Sequence, residues 1–262
     1  MRVHVVSDVH GNAEALARAG DGADALVVLG DLVDFVDYYD HGKGILGQVF
    51  GPEKVAEFAE LRRGPMGPGA GLFLRSLWDA LDDPREVVDE AVRAQYAEMF
   101  GAMTAPTYAI PGNVDSPALW PEFARDGVHL VDGEVVDIGG LRFGFAGGAL
   151  LGRGHVLRPD APWLPYLRSE EDFGDAVAKL TDVDVLCTHI PPAVAELTYD
   201  VVARRAEMGS AAVLDAVHRE QPRWSVFGHI HQPMARRVRI GRTECVNVGH
   251  FQRLGRPYAL RW

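Results

Sequence analysis

The sequence predicts an α/β fold of two packed, mixed β-sheets with helices on their outer faces. Short apolar runs rich in β-branched residues alternate with segments of helical spacing in the first half of the chain. The second half ends in several short strand-like runs. Polar side chains stand directly after many of these runs, and the carboxyl ends of parallel strands are where α/β folds bind ligands.

The N-terminal segment has a strand–helix–strand rhythm. Arg2–Ser7 is a short β-rich run, Asn12–Gly20 carries Ala and Leu at helical spacing, and Ala25–Leu29 is a second buried strand. This order is typical of the start of a parallel α/β sheet.

Residues from about 35 to 103 have a different character and predict a helical insert above the sheet. We expect this insert to belong to a single domain that covers residues 1–262. Its Gly- and Pro-rich stretch 64–71 predicts an irregular connection. The predicted helices are Glu53–Arg63, Gly71–Leu81 and Pro84–Phe100, the last with Asp83 and Pro84 as start signals.

The remainder of the chain is mainly β. Val128–Ile138 and Leu141–Ala146 predict two antiparallel strands joined at Gly139-Gly140, and residues 147–167 predict irregular structure. Two further helices are predicted at Glu170–Leu180 and Gly209–Glu220. The other predicted strands are Thr107–Ile110, Val183–Thr188, Trp224–Phe227, Pro233–Ile240, Thr243–Val248 and Pro257–Trp262.

Composition restricts the classes of function. The formal net charge is −11, which argues against a general nucleic-acid binder because such proteins contact phosphates through cationic side chains. A nucleotide substrate stays open, since a metal site brings its own positive charge. The apolar runs are too short to cross a bilayer, and the N-terminus carries no secretory signal. With Cys187 and Cys245 interpreted as buried free thiols, we expect a cytoplasmic protein without a membrane partner, and a homo-oligomer is open.

Metal-competent side chains follow five strand-like segments, so we expect them to converge at one edge of the fold. They are Asp8, His10, Asp31, Asn113, His189, His229 and His231. Each alone could be an ordinary turn, cap or surface residue, but their recurrence after strands favours metal ligands. Imidazole with carboxylate and amide oxygen suits manganese, iron or zinc. The set is too large for one tetrahedral zinc and suffices for two divalent metal ions if a carboxylate bridges them.

The motifs Asp8-Val9-His10, Gly30-Asp31, Gly112-Asn113, His189 and Gly228-His229-Ile230-His231, in this order, resemble those of the calcineurin-like metallophosphoesterases. The resemblance covers nearly the whole chain, and residues 35–103 are its least matched part. The SDxHGN start and the GNxD motif are similar to a smaller bacterial and archaeal subgroup, whose members resemble phosphodiesterases more than protein phosphatases. The fold that the resemblance implies is a four-layer αββα sandwich.

The resemblance also implies a role for each residue. One metal would be held by Asp8, His10 and His231, and the other by Asn113, His189 and His229. Asp31 would bridge the two metals, and we assign catalysis to Asp31, Asn113 and His189. A hydroxide between the metals would be the nucleophile, without a covalent phospho-enzyme.

One position departs from the family pattern. Many members have a histidine after Gly-Asn that contacts the phosphate and helps to protonate the leaving group, whereas this chain has Val114. Because valine cannot donate a proton, we expect activity to favour substrates with good leaving groups. Asp115 is expected to orient a neighbouring group.

Other polar and aromatic residues receive structural interpretations. Asp34 and Asp37 are interpreted as solvated or supporting residues. The cluster of Phe35, Tyr38 and Tyr39 is interpreted as packing of the insert, with a stacking surface for a base as the alternative. The remaining histidines are His4, His129 and His218, interpreted as structural or exposed, and His41, His155 and His250, interpreted as solvated loop residues with contact to a substrate phosphate as the alternative.

Together these observations predict a dinuclear metal-dependent phosphodiesterase acting on a small phosphoester, with a nucleotide as one candidate. A phosphomonoesterase or a hydrolase of nucleoside polyphosphates is the alternative with the same site. A nuclease shares the motifs, but the acidic charge weighs against it. The alternative from another class is a regulatory protein that binds metal or phosphate without turnover, and Val114 is the feature in its favour.

Overall fold

The structure is a computed structural model that describes residues 1–63, 69–152 and 156–262. The strands are β1 Arg2–Val6, β2 Ala25–Val28, β3 Thr107–Ala109, β4 Val128–Leu130, β5 Val135–Ile138, β6 Leu141–Ala146, β7 Ala149–Leu150, β8 Leu167–Arg168, β9 Val185–Thr188, β10 Tyr199–Asp200, β11 Arg205–Ala206, β12 Trp224–Phe227, β13 Arg237–Ile240, β14 Thr243–Asn247 and β15 Tyr258–Arg261. The helices are α1 Ala13–Ala19, α2 Gly44–Phe50, α3 Pro52–Arg63, α4 Gly69–Trp78, α5 Pro84–Ala102, α6 Glu170–Ala178, α7 Ala195–Thr198, α8 Ala211–Glu220 and α9 Phe251–Leu254, and a 3₁₀ helix covers Pro117–Phe123.

Eleven of these strands form two large mixed sheets. The first sheet has five strands in the order β15-β1-β2-β3-β4, and the second has six in the order β13-β14-β12-β9-β6-β5. In the first sheet β15 is antiparallel to β1, while β1 to β4 are mutually parallel. In the second sheet β14, β12, β9 and β6 are parallel, with antiparallel edge strands β13 and β5.

Three apolar cores show that the two sheets lie face to face between two helical layers. Strand β2 illustrates the arrangement, because Ala25 and Val27 pack between the sheets while Leu26 and Val28 pack outward. Helices α1 and α5 cover that outer face, and α6 and α8 cover the outer face of the second sheet. Both faces of each central strand are therefore buried, which is why these strands read as continuous apolar runs. The predicted αββα sandwich is confirmed.

Helices α2 to α5 occupy the chain between β2 and β3, in the region expected to be helical. Helix α5 begins as the sequence predicts, since the Asp83 carboxylate accepts a hydrogen bond of 2.9 Å from the backbone N–H of Glu86. Helix α2 was not predicted from the sequence, because its glycines lower helix propensity. Burial of Ile45 and Leu46 in the core compensates for that penalty.

Two predictions for the second half need correction. The segment Val128–Ile138 is not one strand, because β4 belongs to the first sheet and β5 to the second. The chain crosses between the sheets at a turn in which Gly133 has a φ of +83° and donates its N–H to the Phe145 carbonyl oxygen at 2.9 Å. The segment Pro233–Ile240 forms a strand only from Arg237 onward.

Three further sequence expectations can be compared with the structure. Cys187 and Cys245 are buried free thiols, as predicted. Within the residues that the structure describes, no helix combines the length and the apolar character that crossing a bilayer requires. Residues 147–167 were expected to be irregular, but two short strands pair there. Strand β7 lies inside this stretch, and β8 begins at its last residue, Leu167.

The core between the sheets predicts a large effect of truncating Phe145, which is fully buried and stacks on Phe143 at 6.3 Å between ring centroids. We expect Phe145→Ala to lower the free energy of unfolding by about 3–5 kcal/mol, because it removes apolar contacts and leaves a cavity. Chemical denaturation measures this change. Leu72→Ala is the control, since Leu72 is 55% exposed, and it should change stability by no more than about 0.5 kcal/mol. Equal effects of the two substitutions would contradict the packing between the sheets.

Candidate metal centre

Loops at the carboxyl ends of strands from both sheets converge on one site. Strand β1 leads to Asp8 and His10, β2 to Asp31, and β3 to Asn113, all from the first sheet. Strands β9 and β12 of the second sheet lead to the remaining residues of the predicted set, His189, His229 and His231. Backbone hydrogen bonds join the loops, including Asp8 N–H to the Gly30 carbonyl oxygen at 3.1 Å. The structure thus brings together every residue of the predicted set.

One half of the centre is formed by imidazoles around the Asp8 and Asp31 carboxylates. Nε2 of His231 lies 3.4 Å from Oδ1 of Asp8 and 3.4 Å from Nε2 of His10. Nε2 of His10 lies 3.8 Å from Oδ2 of Asp31. The ligand atoms of Asp8, His10 and Asp31 all lie within 4.8 Å of one another, so one cation could contact all three.

The other half contains His189, Asn113 and His229 and shares the Asp31 carboxylate. Nε2 of His189 lies 3.5 Å from Oδ2 of Asp31 and 3.0 Å from Oδ1 of Asn113. The rings of His189 and His229 are 5.2 Å apart between centroids, and the ligand atoms of Asp31, His189 and His229 lie within 4.8 Å of one another. Because Asp31 belongs to both halves, the geometry fits two cations with a carboxylate between them.

Hydrogen bonds on the outer nitrogens orient two of the imidazoles. Nδ1 of His189 lies 2.7 Å from the Leu29 carbonyl oxygen, and Nδ1 of His10 lies 3.0 Å from the Val33 carbonyl oxygen. A carbonyl oxygen only accepts, so each Nδ1 is a donor, and Nε2 is the nitrogen that faces the centre and can bind a cation once it carries no proton. Such outer hydrogen bonds are the usual way in which proteins fix a metal-binding histidine. The donor set and its orientation therefore fit two divalent cations.

Strained backbone is concentrated at this site. Asp8, His10, Asp31 and His229 have φ angles of 58°, 40°, 52° and 65°. Residues other than glycine rarely adopt this left-handed region, which costs on the order of 1–3 kcal/mol for each residue. The strain turns the chain sharply after each strand and directs the side chains into the centre.

In two of the motifs the residue before the ligand must be glycine, because its backbone passes too close to neighbouring atoms to leave room for a Cβ. A Cβ at Gly112 would collide with the backbone and carboxylate of Asp31, and a Cβ at Gly228 would collide with Ser7 and the Asp8 carboxylate. Gly112 therefore allows two loops of the first sheet to touch at Asp31, and Gly228 allows a loop of the second sheet to touch the Asp8 loop of the first.

Asp115 connects the loops beneath the centre. Its carboxylate accepts hydrogen bonds from the backbone N–H groups of Gly112, Leu32 and Val33 at 2.8, 3.1 and 3.3 Å, and from the hydroxyl of Tyr96 at 3.2 Å. Burial, together with the nearby negative charge of Asp31, raises the pKa of Asp115 to about 6. The side chain holds the loops that carry Asp31 and Asn113 in register, as the sequence predicts for an orienting residue.

The buried charges of the centre compensate one another. Burial raises the pKa of Asp31, but the charge and hydrogen bond of His189 outweigh this effect and lower the pKa to about 2. Burial lowers the pKa of His189, yet Asp31 and Asp8 raise it to about 9. Burial and the positive charge of His189 lower the pKa of His229 to about 4. The carboxylates and His229 are thus in the ionisation states that cation binding requires, and His189 releases a proton on binding.

Comparison with known proteins identifies the family. Residues 1–233 match the family model described as calcineurin-like phosphoesterase. The chain belongs to the calcineurin-like phosphoesterase family. Members of this family are metal-dependent hydrolases with two metal ions, which agrees with the paired groups of Asp and His side chains.

Two solved structures have the same overall fold as this calcineurin-like phosphoesterase. The crystal structure of TT1561 from Thermus thermophilus has 16% sequence identity and a TM-score of 0.56, with 99% of this chain and 98% of that chain covered. A second crystal structure has 17% identity and a TM-score of 0.57, with 96% of this chain and 91% of that chain covered. At these identities the similarity shows the fold alone. No curated protein matches the sequence significantly.

His250 lies at the phosphoesterase centre, although the sequence did not place it in the predicted ligand set. It was interpreted as a solvated loop residue, yet it is 5% exposed and stacks on His231 at 3.8 Å between ring centroids. Its segment is held on the first loop, since Phe251 and Gln252 donate their N–H groups to the carbonyl oxygens of Ser7 and Asp8 at 3.0 and 2.9 Å. A signal was present, because His250 follows β14 as His229 follows β12.

Other secondary interpretations have mixed outcomes. Asp34 is 7% exposed, so it is not solvated, and burial raises its pKa to about 6. Phe35 packs on Trp163, which lies outside the insert, with ring centroids 4.1 Å apart, and it also lines the cavity beside the centre, so packing of the insert stays a prediction for the aromatic cluster. Tyr38 and Tyr39 are 39% and 60% exposed.

The remaining histidines are mostly peripheral. Nδ1 of His4 lies 2.8 Å from the Ala19 carbonyl oxygen, and His129 and His218 are exposed. His41 is half-buried rather than solvated, and His155 lies outside the described residues.

The contact between the glycine motifs and the carboxylates predicts that Gly228→Ala impairs metal binding. The added methyl group must displace Ser7 or Asp8, and we expect less metal per chain together with a loss of stability of about 1–3 kcal/mol. Metal content after dialysis and thermal unfolding measure both effects. Gly101→Ala is the matched control, because a Cβ at this position in α5 meets no atom within 4 Å and alanine favours the helix. Full metal content in Gly228→Ala would contradict the steric argument.

Proposed function

We propose that this calcineurin-like phosphoesterase is a dinuclear metal-dependent phosphodiesterase acting on a small phosphoester. The observation that carries the proposal is the position of Asp31, whose Oδ2 lies 3.8 Å from Nε2 of His10 and 3.5 Å from Nε2 of His189. A carboxylate between two groups of imidazoles can bridge two metal ions, and a pair of metal ions stabilises both the attacking and the leaving oxygen in phosphoester hydrolysis.

The protein's own residues bind and orient. Asp8, His10 and His231 would hold one cation, Asn113, His189 and His229 the other, and Asp31 both. When bound, two such cations supply positive charge for the phosphoryl oxygens and make a coordinated water acidic enough to react near neutral pH. We propose Asp31, Asn113 and His189 as the catalytic residues, because they lie where these two cations would be held.

The leaving group that the centre can accept is restricted by the residue after Asn113. The backbone N–H of Val114 donates to Oδ1 of Asp31 at 2.9 Å, so this position orients the shared carboxylate. Its side chain lines the cavity beside the centre but offers no proton for a leaving alkoxide. A substrate with a stable leaving group is favoured under this constraint.

The mixed imidazole and carboxylate ligands support manganese, iron or zinc rather than magnesium or calcium as the bound metals. A nucleotide is one candidate for the phosphoester. The cytoplasmic location and the single domain over residues 1–262 stay predictions from the sequence.

Removing the shared carboxylate tests the function. We expect Asp31→Asn to reduce the metal content from about two ions per chain and to abolish hydrolysis of an aryl phosphodiester, because an amide is a weak bridging ligand. Metal analysis and a hydrolysis assay measure this, with Asp21→Asn, an exposed aspartate remote from the centre, as the control.

Each outcome has a distinct meaning. Two metals in the wild type without hydrolysis of any diester or monoester would support a binding or regulatory protein instead. Preference for monoesters would favour the phosphomonoesterase alternative. Absence of metal under replete conditions would contradict the centre itself.

Restoring a proton donor tests the interpretation of Val114. We expect Val114→His to accelerate hydrolysis of an alkyl phosphodiester by about 10²–10⁴-fold at most, the usual range for general acid catalysis, and to affect an aryl ester much less. The ratio of kcat values for the two esters is the readout. Val114→Gln controls for polarity and size without an acidic proton, and an unchanged alkyl rate in Val114→His would refute the interpretation.

A further inference from the structure

A cavity of about 600 Å³ opens directly beside the metal centre. The residues of the centre that line it are His10, Asp31, Asn113, His229, His231 and His250. A cavity of this volume is within the range that holds a complete small ligand, so it has room for far more than a phosphate group.

The rest of the cavity is bounded chiefly by an apolar wall. We use this term for Phe35, Leu46, Phe58, Leu74, Trp78 and Trp163. Helices α2, α3 and α4 provide four of these side chains, and the loops after β2 and β7 provide the other two. The wall therefore comes from the least matched part of the family resemblance and from one loop of the second half.

Packing among these side chains holds the wall in place. Phe35 stacks on Trp163 with ring centroids 4.1 Å apart, and Trp78 contacts Phe35 and Phe50 at 6.5 and 4.7 Å. Phe35 and Trp78 are each only 7% exposed, so protein contacts hold most of their surface and a small part is left to face the cavity. A wall that is already ordered loses little entropy when a ligand binds.

The charged residues around the cavity do not favour a second anionic group. Arg158 is paired with Asp160 at 2.7 Å, and the other two arginines of the lining, Arg62 and Arg75, are outnumbered by the three aspartates Asp34, Asp37 and Asp79. Arg62 lies over the rings of Tyr38 and Phe58, at 5.9 and 6.0 Å from their centroids. The lining thus suits one phosphate at the metal centre with an uncharged group beside it.

We infer that the substrate is a phosphoester whose organic group is bulky and apolar, with this group seated on the apolar wall while the phosphate lies at the metal centre. The inference rests on the proposed phosphoesterase function and adds the substrate class to it. Burial of the organic group against carbon-rich side chains supplies the binding free energy. A nucleoside polyphosphate would instead place polar groups and additional charge against the same wall.

Alkylphosphonates of increasing chain length test the inference without requiring turnover. Calorimetric titration of the manganese-loaded protein with methyl-, butyl- and octylphosphonate measures each Kd, with inorganic phosphate as the competitor that identifies the metal centre. We expect the Kd to fall by about threefold to fourfold for each added methylene that is buried. All chain lengths should be displaced by inorganic phosphate.

Two variants locate the effect on the wall. Leu74→Gln places an amide in the apolar wall, and Trp163→Ala removes its largest loop side chain; both should reduce the ratio of methyl- to octylphosphonate Kd values by about tenfold or more. Leu74 is half-buried, so Leu74→Gln is expected to fold even if Trp163→Ala does not. Trp262→Ala is the control, because Trp262 packs on Phe143 and Trp224 and does not line the cavity.

The outcomes separate this inference from the proposed function. A Kd that is independent of chain length, or no binding of octylphosphonate, would overturn the apolar substrate class while leaving hydrolysis of a diester intact. Equal ratios in Leu74→Gln and Trp262→Ala would also overturn it. Chain-length dependence in a protein that hydrolyses no phosphoester would retain the ligand class and overturn the proposed function.

Discussion

The buried carboxylate of Asp31 is the constraint on which the rest of the structure depends. Asp31 is 3% exposed, and a charged group in such a position is tolerated only when partners compensate it. Its Oδ1 accepts the N–H of Val114, its Oδ2 faces His10 and His189, and its backbone oxygen accepts the N–H of His10 at 2.8 Å. One residue therefore links the loops after β1, β2, β3 and β9. The two sheets must meet at these strand ends for the charge to be compensated.

This constraint also explains where the backbone is strained. The chain must turn sharply after each strand for short side chains to meet around one carboxylate, and Asp8, Asp31 and His229 take up left-handed conformations to do so. Rigid surroundings are needed to hold such conformations. Asp115 provides part of this support through backbone hydrogen bonds from Gly112, Leu32 and Val33. The strained backbone lowers the stability of the fold, but it holds the ligand side chains in position before a metal ion binds.

The parts that could be predicted from the sequence are those governed by local pattern. Buried parallel strands read as apolar runs, and the residues after them lie at one sheet edge, so the convergence of Asp8, Asp31 and His189 could be predicted. Features that depend on contacts between distant parts of the chain could not be predicted. Helix α2 forms despite its glycines because tertiary burial outweighs propensity, and Val128–Ile138 divides because a turn carries the chain from one sheet to the other. His250 obeyed the strand-end rule, but its burial depends on hydrogen bonds to the distant first loop.

The metal centre and the apolar wall are built largely from different elements. Under the proposed function, the centre would carry out hydrolysis and the wall would select the organic group of the substrate. The centre uses strand ends, where the geometry is dictated by the two sheets and leaves little room for change. The apolar wall uses helices α2 to α4 and two loops, and Phe35 is the member of the wall that shares a loop with a ligand of the centre, Asp31. Val114 stands where the two parts meet: its N–H orients Asp31, while its side chain lines the cavity. A valine there extends the apolar surface up to the metal centre, so under the proposed function the residue that offers no proton donor also favours an apolar organic group.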